Sequence, residues 1–224
     1  MTGGPGTLEA FFVRHGQSTA NARGVWQGRL EFPLSELGRR QASRAGAALA
    51  ATGGFSSVYS SPLARAAETA EIIAAELKAA GSFAGGVIEL PGLTERHGGV
   101  LQGRPYEQSR EEKPKLIEKF DSLPGDEAWS LVEAETDEQL RERFSGALAE
   151  ISSPATDAGA RRVAIVAHGG VLKAFLRGEF GDAAALQGVR LPNASLTRII
   201  WRRTGKGAEL LDLASTRHLA DLEG

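Results

Sequence analysis

The chain has 224 residues, a formal net charge of -2 and no cysteine. That length suits one domain able to bury roughly 70–75% of its unfolded surface without covalent staples, while the missing cysteine excludes disulfides, thiolate metal sites and a cysteine nucleophile. The charge balance argues against nucleic acid as a partner, and the absence of a membrane-length apolar run, with Met1–Thr7 too short and Gly-rich for a signal peptide, leads us to expect a soluble cytoplasmic protein with no membrane partner.

Leu8–Val13 reads as a buried strand with β-formers Phe11, Phe12 and Val13 at its centre, and it breaks off into Arg14-His15-Gly16. Ligands of open α/β sheets sit just beyond the carboxyl ends of strands. Gly16 permits a sharp turn or a close approach of the backbone. Gln17, Ser18, Thr19 and Asn21 supply hydrogen-bonding groups to whatever binds there, and an Arg beside a His would suit a phosphate. For the triplet alone, a hydrogen-bonded His closing a strand is an equally good account. Arg23–Pro33 reads as a loop whose Trp26 either lines a pocket or covers the edge of the core. Ser35 is placed to cap a helix running to about Ala51, closed by Gly53-Gly54.

Phe55–Tyr59 is a short strand, and Ser61-Pro62 predicts a helix start with Ser as the N-cap. The helix would continue to about Ala80. Arg65 near its first turn sits at the wrong end of the helix dipole for a cation, a cost of roughly 0.3–1 kcal/mol. A bound anion would offset this, and so would a pair with Glu68; we favour the anion. Val87–Leu90 reads as a third strand, followed by Glu95-Arg96-His97-Gly98-Gly99, a plausible acid/base position or a Glu95–Arg96 loop ion pair. Gln102–Asp126 is charge-dense and broken by three prolines, so it reads as a solvated excursion over one end of the sheet rather than as core. Thr136 and Gln139 form a capping box for a helix carrying Leu140, Phe144 and Leu148. Val163–Ala167 is another buried strand ending in His168-Gly169-Gly170, with Val171, Leu172, Phe175 and Leu176 on the helix that follows. Ser195–Trp201 and Glu209–Leu213 read as closing antiparallel strands around a Gly205–Gly207 turn. Two buried strands that each deliver a His-Gly at the carboxyl end, with Arg65 after a third, favour one shared site.

The set Arg14-His15-Gly16, Ser61–Thr69, Glu95 and His168-Gly169, in this order, resembles the histidine phosphatase superfamily, which includes the phosphoglycerate mutases. The resemblance implies a three-layer α/β/α sandwich with a mainly parallel central sheet and one antiparallel edge. It implies one domain over 1–224, in which 96–135 forms a cap-like insertion over the site. It also implies that His15 attacks phosphorus, that Arg14, Arg65 and His168 hold the phosphoryl oxygens, and that Glu95 protonates the leaving oxygen. Gly16, Gln17, Ser18, Asn21, Gln27, Gly28, Arg96, His97 and Gly169 are the further candidates for contact with phosphate or substrate. Neighbouring cations would keep the imidazole unprotonated, and a carbonyl bound to one ring nitrogen would free the other to attack. No cofactor and no metal are expected, since a dinuclear metal hydrolase would need closely spaced His/Asp pairs.

Mutases of the family carry a Tyr where this chain has Gly98, an Arg pair that is missing between Arg104 and Asp137, and an Asn where it has Gly170. Fewer anchors for a doubly anionic substrate favour hydrolysis, so the expectation is a phosphomonoesterase acting on a small phosphorylated metabolite. A cofactor-dependent phosphoglycerate mutase is the alternative, and a non-catalytic phospho-ligand binder the alternative of another class. Arg96, His97, Arg104, Tyr106 and Lys113 are candidates to read the rest of the substrate, and a homodimer is the protein partner left open.

Overall fold

The computed structural model describes residues 7–153, 161–181, 186, 188–202 and 207–222. Six strands, β1 (Thr7–Arg14), β2 (Phe55–Ser60), β3 (Val87–Glu89), β4 (Arg161–Ala167), β5 (Leu196–Arg202) and β6 (Ala208–Ser215), form one sheet in the order β3-β2-β4-β1-β5-β6. β3, β2, β4 and β1 run parallel, and β5 and β6 add antiparallel pairs at the β1 side. The architecture is the expected one. Gly205 of the predicted closing turn lies outside the described residues.

Both faces of the central strands are buried, because side chains alternate across a pleated strand. From β1, Leu8, Ala10 and Phe12 enter one apolar layer, while Phe11 and Val13 enter the other. From β4, Val163, Ile165 and Ala167 face the first layer, and Ala164 and Val166 the second. Helices α6 (Asp137–Ser152) and α7 (Gly169–Phe180) cover the first face with Leu140, Phe144, Ile151, Val171 and Phe175. Helices α1 (Glu36–Thr52) and α2 (Ala64–Ala79) cover the second with Ala45, Leu49, Ala70 and Ile73.

The helix signals were read correctly at two starts and wrongly at one. Ser35 caps α1 by accepting from Gly38 N at 3.1 Å, and Thr136 and Gln139 close the capping box of α6. Ser61, however, does not cap α2. That helix begins at Ala64, and the carboxylate of Glu31, from the preceding loop, accepts its N–H at 2.9 Å. Ser61 is left for another partner, described below.

Between β3 and α6 the chain forms, besides two single 3-10 turns, three short α-helices, α3 (Tyr106–Glu112), α4 (Pro114–Ser122) and α5 (Gly125–Leu131). The expectation of a solvated excursion without core is wrong here. Leu101, Ile117, Val132 and Ala134 make a small apolar cluster of their own, with Tyr106, Phe120, Trp129 and Trp26 packed against it. Trp26 lies 5.8–6.0 Å from the three other rings, which ties the 21–33 loop to this segment. The charges do lie on the outside, paired as Arg104–Glu112 and Arg110–Asp121.

Candidate active site

The strand register assembles the site. Arg14 pairs with Ala167 across β1 and β4, so the next residues, His15 and His168, emerge side by side; their ring centroids are 5.0 Å apart. Ser60 pairs with Val166, which brings Ser61 to the same edge, and its hydroxyl lies 2.7 Å from His168 Nε2. Ser61 Oγ also accepts from Leu63 N and keeps its hydrogen to donate. In the tautomer where that hydrogen goes to His168 Nε2, the His168 proton is on Nδ1.

His15 is buried, and its Nδ1 lies 2.7 Å from the carbonyl of Gly16. A carbonyl only accepts, so Nδ1 carries the proton and Nε2 keeps its lone pair. Burial first, then the charges of Arg14 and Arg65, push the pKa of His15 well below the ordinary histidine value. Burial, then Arg65, His15 and Arg14, do the same to His168. Both rings are therefore neutral at neutral pH. The Gly16 turn that supplies the acceptor leaves no room for a side chain, since a Cβ there would stand 2.4 Å from Gly38 O.

Two guanidinium groups flank the rings. Arg14 donates to Leu191 O, and Arg65 donates to Leu30 O and Gly28 O at 2.9 and 2.8 Å. The expected alternative partner of Arg65, Glu68, pairs with Arg39 instead. Burial lowers the pKa of both arginines, with Glu95 opposing it, yet a guanidinium remains charged. Arg14 Nε, Arg65 Nε and His168 Nδ1 are buried donors with no partner. Buried N–H groups are rarely left unpaired in a native structure. Three of them grouped around one neutral imidazole suit a ligand with several acceptor oxygens.

Glu95 completes the group. Its carboxylate accepts from Gly170 N at 2.9 Å and Val171 N at 3.0 Å, at the amino end of α7, and from Arg96 N at 2.7 Å. Arg143 holds the loop from behind by donating to the carbonyls of Gly92, Thr94 and Glu95 while pairing with Glu135. The alternative considered for this loop, a Glu95–Arg96 ion pair, does not form. The Arg96 guanidinium instead binds Asp137 and the Glu135 carbonyl and lies 4.0 Å over the Trp129 ring.

These groups border a cavity of about 390 Å³. Arg14, His15 and Arg65 lie at its inner end, with Asn21, Gln27, Gly28, Glu95, Arg96 and Gly169 among the walls. Trp26 and Trp129 line it too, so Trp26 serves both roles considered for it. His168 is fully buried behind the wall, against His15. Several expected contact residues stay outside. Gln17 binds Gln41 through its N–H and Ser35 through its side chain, and so fastens the start of α1. Ser18 is buried, with its hydroxyl near Asn21 Oδ1 and Gln27 Oε1, and Gly16 contributes backbone only. His97 lines a separate surface depression with Arg29 and Glu135. Arg104 and Tyr106 are occupied by Glu112 and Asp121, and Lys113 is exposed.

The sequence model of the histidine phosphatase superfamily, branch 1, matches residues 10–213. The chain belongs to that family. It is 38% identical over 172 residues to a metal-independent phosphoserine phosphatase of Arabidopsis thaliana, an alignment covering 74% of this chain and 66% of the plant protein. It is 31% identical over 216 residues to a probable phosphoglycerate mutase of Yersinia pestis, covering 95% of each chain. The structure of a mycobacterial glucosyl-3-phosphoglycerate phosphatase superposes with a TM-score of 0.74 at 27% identity, over 93% of this chain and 99% of that one.

This histidine phosphatase also uses residues that the sequence reading missed. Asn193, to which the sequence assigned no role, donates to His15 O and to Asn21 Oδ1, both at 3.1 Å. Lys173 and Arg177 line the cavity. Their signal was available: 169, 173 and 177 recur every four residues and share one stripe of α7.

Proposed function

We propose that this phosphatase hydrolyses small phosphomonoesters without a metal, through a phosphohistidine on His15. The observation that carries this is the His15 tautomer, with Nδ1–H bound to the Gly16 carbonyl and Nε2 lone-paired among three unpartnered donors. Nε2 attacks phosphorus as the bond to the leaving oxygen breaks, and Arg14, Arg65 and His168 take the phosphoryl oxygens. Protonated Glu95 gives its proton to the leaving oxygen. Its carboxylate then takes a proton from water, whose oxygen attacks phosphorus and breaks the N–P bond; phosphate leaves and His15 is restored.

Hydrolysis is favoured over mutase transfer by the packing at two glycines. A Cβ on Gly170, where mutases carry Asn, would stand 2.4 Å from Glu95 Oε1. One on Gly98, where they carry Tyr, would stand 2.9 Å from Gln102 Cγ. In this reading the 96–135 segment acts as the cap, contributing Arg96 and Trp129 to the cavity. A mere phospho-ligand binder would have no use for a positioned Glu95.

A rapid alkaline quench after mixing with a labelled aryl phosphate should trap phosphohistidine at residue 15, and His15→Ala should abolish both the label and phosphate release. Normal turnover by that variant would end the mechanism. With 3-phosphoglycerate and a trace of 2,3-bisphosphoglycerate, inorganic phosphate should accumulate; rapid formation of the 2-isomer would instead assign the mutase.

A further inference from the structure

The side chain of Gln102 takes no part in the chemistry above, yet it sits against the loop that holds Arg65. Leu30 N donates to Gln27 O at 3.0 Å, so Gly28 and Arg29 are the central residues of a β-turn. The peptide group between them is bonded on both sides. Its carbonyl, Gly28 O, accepts from Arg65 Nη2 at 2.8 Å, and its N–H, on Arg29, donates to Gln102 Oε1 at 2.9 Å. The C=O and N–H of a trans peptide point in opposite directions, and the group turns as one rigid plane. Arg65, the Gly28–Arg29 peptide and Gln102 therefore form one hydrogen-bonded row, whose members polarise one another. Gly98 N also donates to Gln102 Oε1, at 3.1 Å, so the end of the carboxamide facing the two N–H groups is its oxygen.

The central peptide of a β-turn is the one whose rotation interconverts turn types at little cost to the flanking chain. Gly28, with φ of +52°, leaves it free to rotate. The glycine also makes room for the carboxamide, since a Cβ there would stand 2.0 Å from Gln102 Oε1. Gln102 is itself held in place. Next to it Gly103 N donates to Trp26 O at 2.7 Å and Trp26 N to Arg104 O at 3.0 Å, which ties the two loops together.

We infer that Gln102 is a positioning residue for the phosphoryl site, fixing the plane of the Gly28–Arg29 peptide so that its carbonyl aims the Arg65 guanidinium. Arg65 has two such acceptors, Leu30 O on Nη1 and Gly28 O on Nη2, while its buried Nε has no partner. A guanidinium is a rigid planar fork. Turning one acceptor away therefore swings the whole group, and with it the donors meant for a phosphoryl oxygen. The inference rests on Arg65 holding such an oxygen, as the hydrolase reading has it.

Orthovanadate, a phosphate-shaped anion, is the probe, and its dissociation constant is read by calorimetry. Gln102→Met keeps the length of the side chain and removes the acceptor, so affinity should fall about three- to tenfold, the worth of one hydrogen bond. Gln102→Glu keeps an acceptor oxygen and should bind nearly as the wild type in high salt, which screens the added charge. An Arg65→Ala background separates positioning from general support of the fold: there Gln102→Met should cost nothing further. Unchanged affinity in Gln102→Met, an equal loss with and without Arg65, or an equal loss in Gln102→Glu overturns the inference and leaves the phosphatase standing. A wild type that does not bind the probe, or an Arg65→Ala variant that binds it as well as the wild type, would instead mark failure of the Arg65 assignment, and the inference would fall with it.

Discussion

The two buried imidazoles should impose a pH dependence on stability that can be isolated. An unfolded histidine titrates near pH 6.5. Native His15 and His168 are held neutral well below that, by burial first and then by Arg14 and Arg65. Their contribution is complete above the unfolded value and is lost as pH falls, because only the unfolded chain takes up the protons. Between about pH 7.5 and pH 5.5 each ring should cost ~1.4 kcal/mol of unfolding free energy, hence ~2.7 kcal/mol for the pair. Urea titrations in phosphate-free buffer at the two pH values would measure it. His15→Gln and His168→Gln should each remove about half of the loss. His218, whose pKa burial also lowers while a bond to Ala194 O opposes, is common to all three proteins and cancels in the difference. If both variants lose as much stability as the wild type over this interval, the rings are not held neutral and the nucleophile assignment loses its physical basis.

Further outcomes follow from the Glu95 cradle. Glu95→Gln keeps the size but not the transferable proton, so kcat/KM, which reports the steps up to departure of the leaving group, should fall about 10²–10⁴-fold for alkyl phosphates and much less for nitrophenyl phosphate, whose leaving group needs little protonation. Equal losses on both substrates would separate Glu95 from proton delivery. Gly170→Asn should displace the Glu95 carboxylate from its three backbone donors and reproduce the same leaving-group pattern, read as the ratio of alkyl to nitrophenyl turnover. An unaltered ratio in a folded variant would show that Glu95 tolerates the shift.

The inner site was legible in the sequence because strand register is a local property with long reach. Once Leu8–Val13 and Val163–Ala167 are recognised as buried parallel strands, whatever follows each must emerge at one edge, and both are followed by His-Gly. The partners that prepare those histidines were much less legible. Ser61 looks like a helix cap and becomes one half of the His168 pair, because Glu31, distant in sequence, takes over the cap of α2. Asn193 carries no local pattern at all; it matters only because the turn before β5 returns to β1, where Ala194 N binds Arg14 O at 2.9 Å. The 96–135 segment misled for a related reason. Its apolar residues are too sparse in the sequence to declare a core, and the small cluster they form is packed over by Trp26 from a loop far earlier in the chain.

Gly170 shows how a single position connects these levels. In the sequence it separates the hydrolase from the mutase pattern by the absence of a side chain. In the structure that absence has a mechanical meaning: it lets a carboxylate from the loop after β3 sit directly on the first N–H groups of α7. The same helix then presents Lys173 and Arg177 along the cavity. α7 therefore does two things with its first three turns: its amino end holds the Glu95 carboxylate and its side lines the cavity.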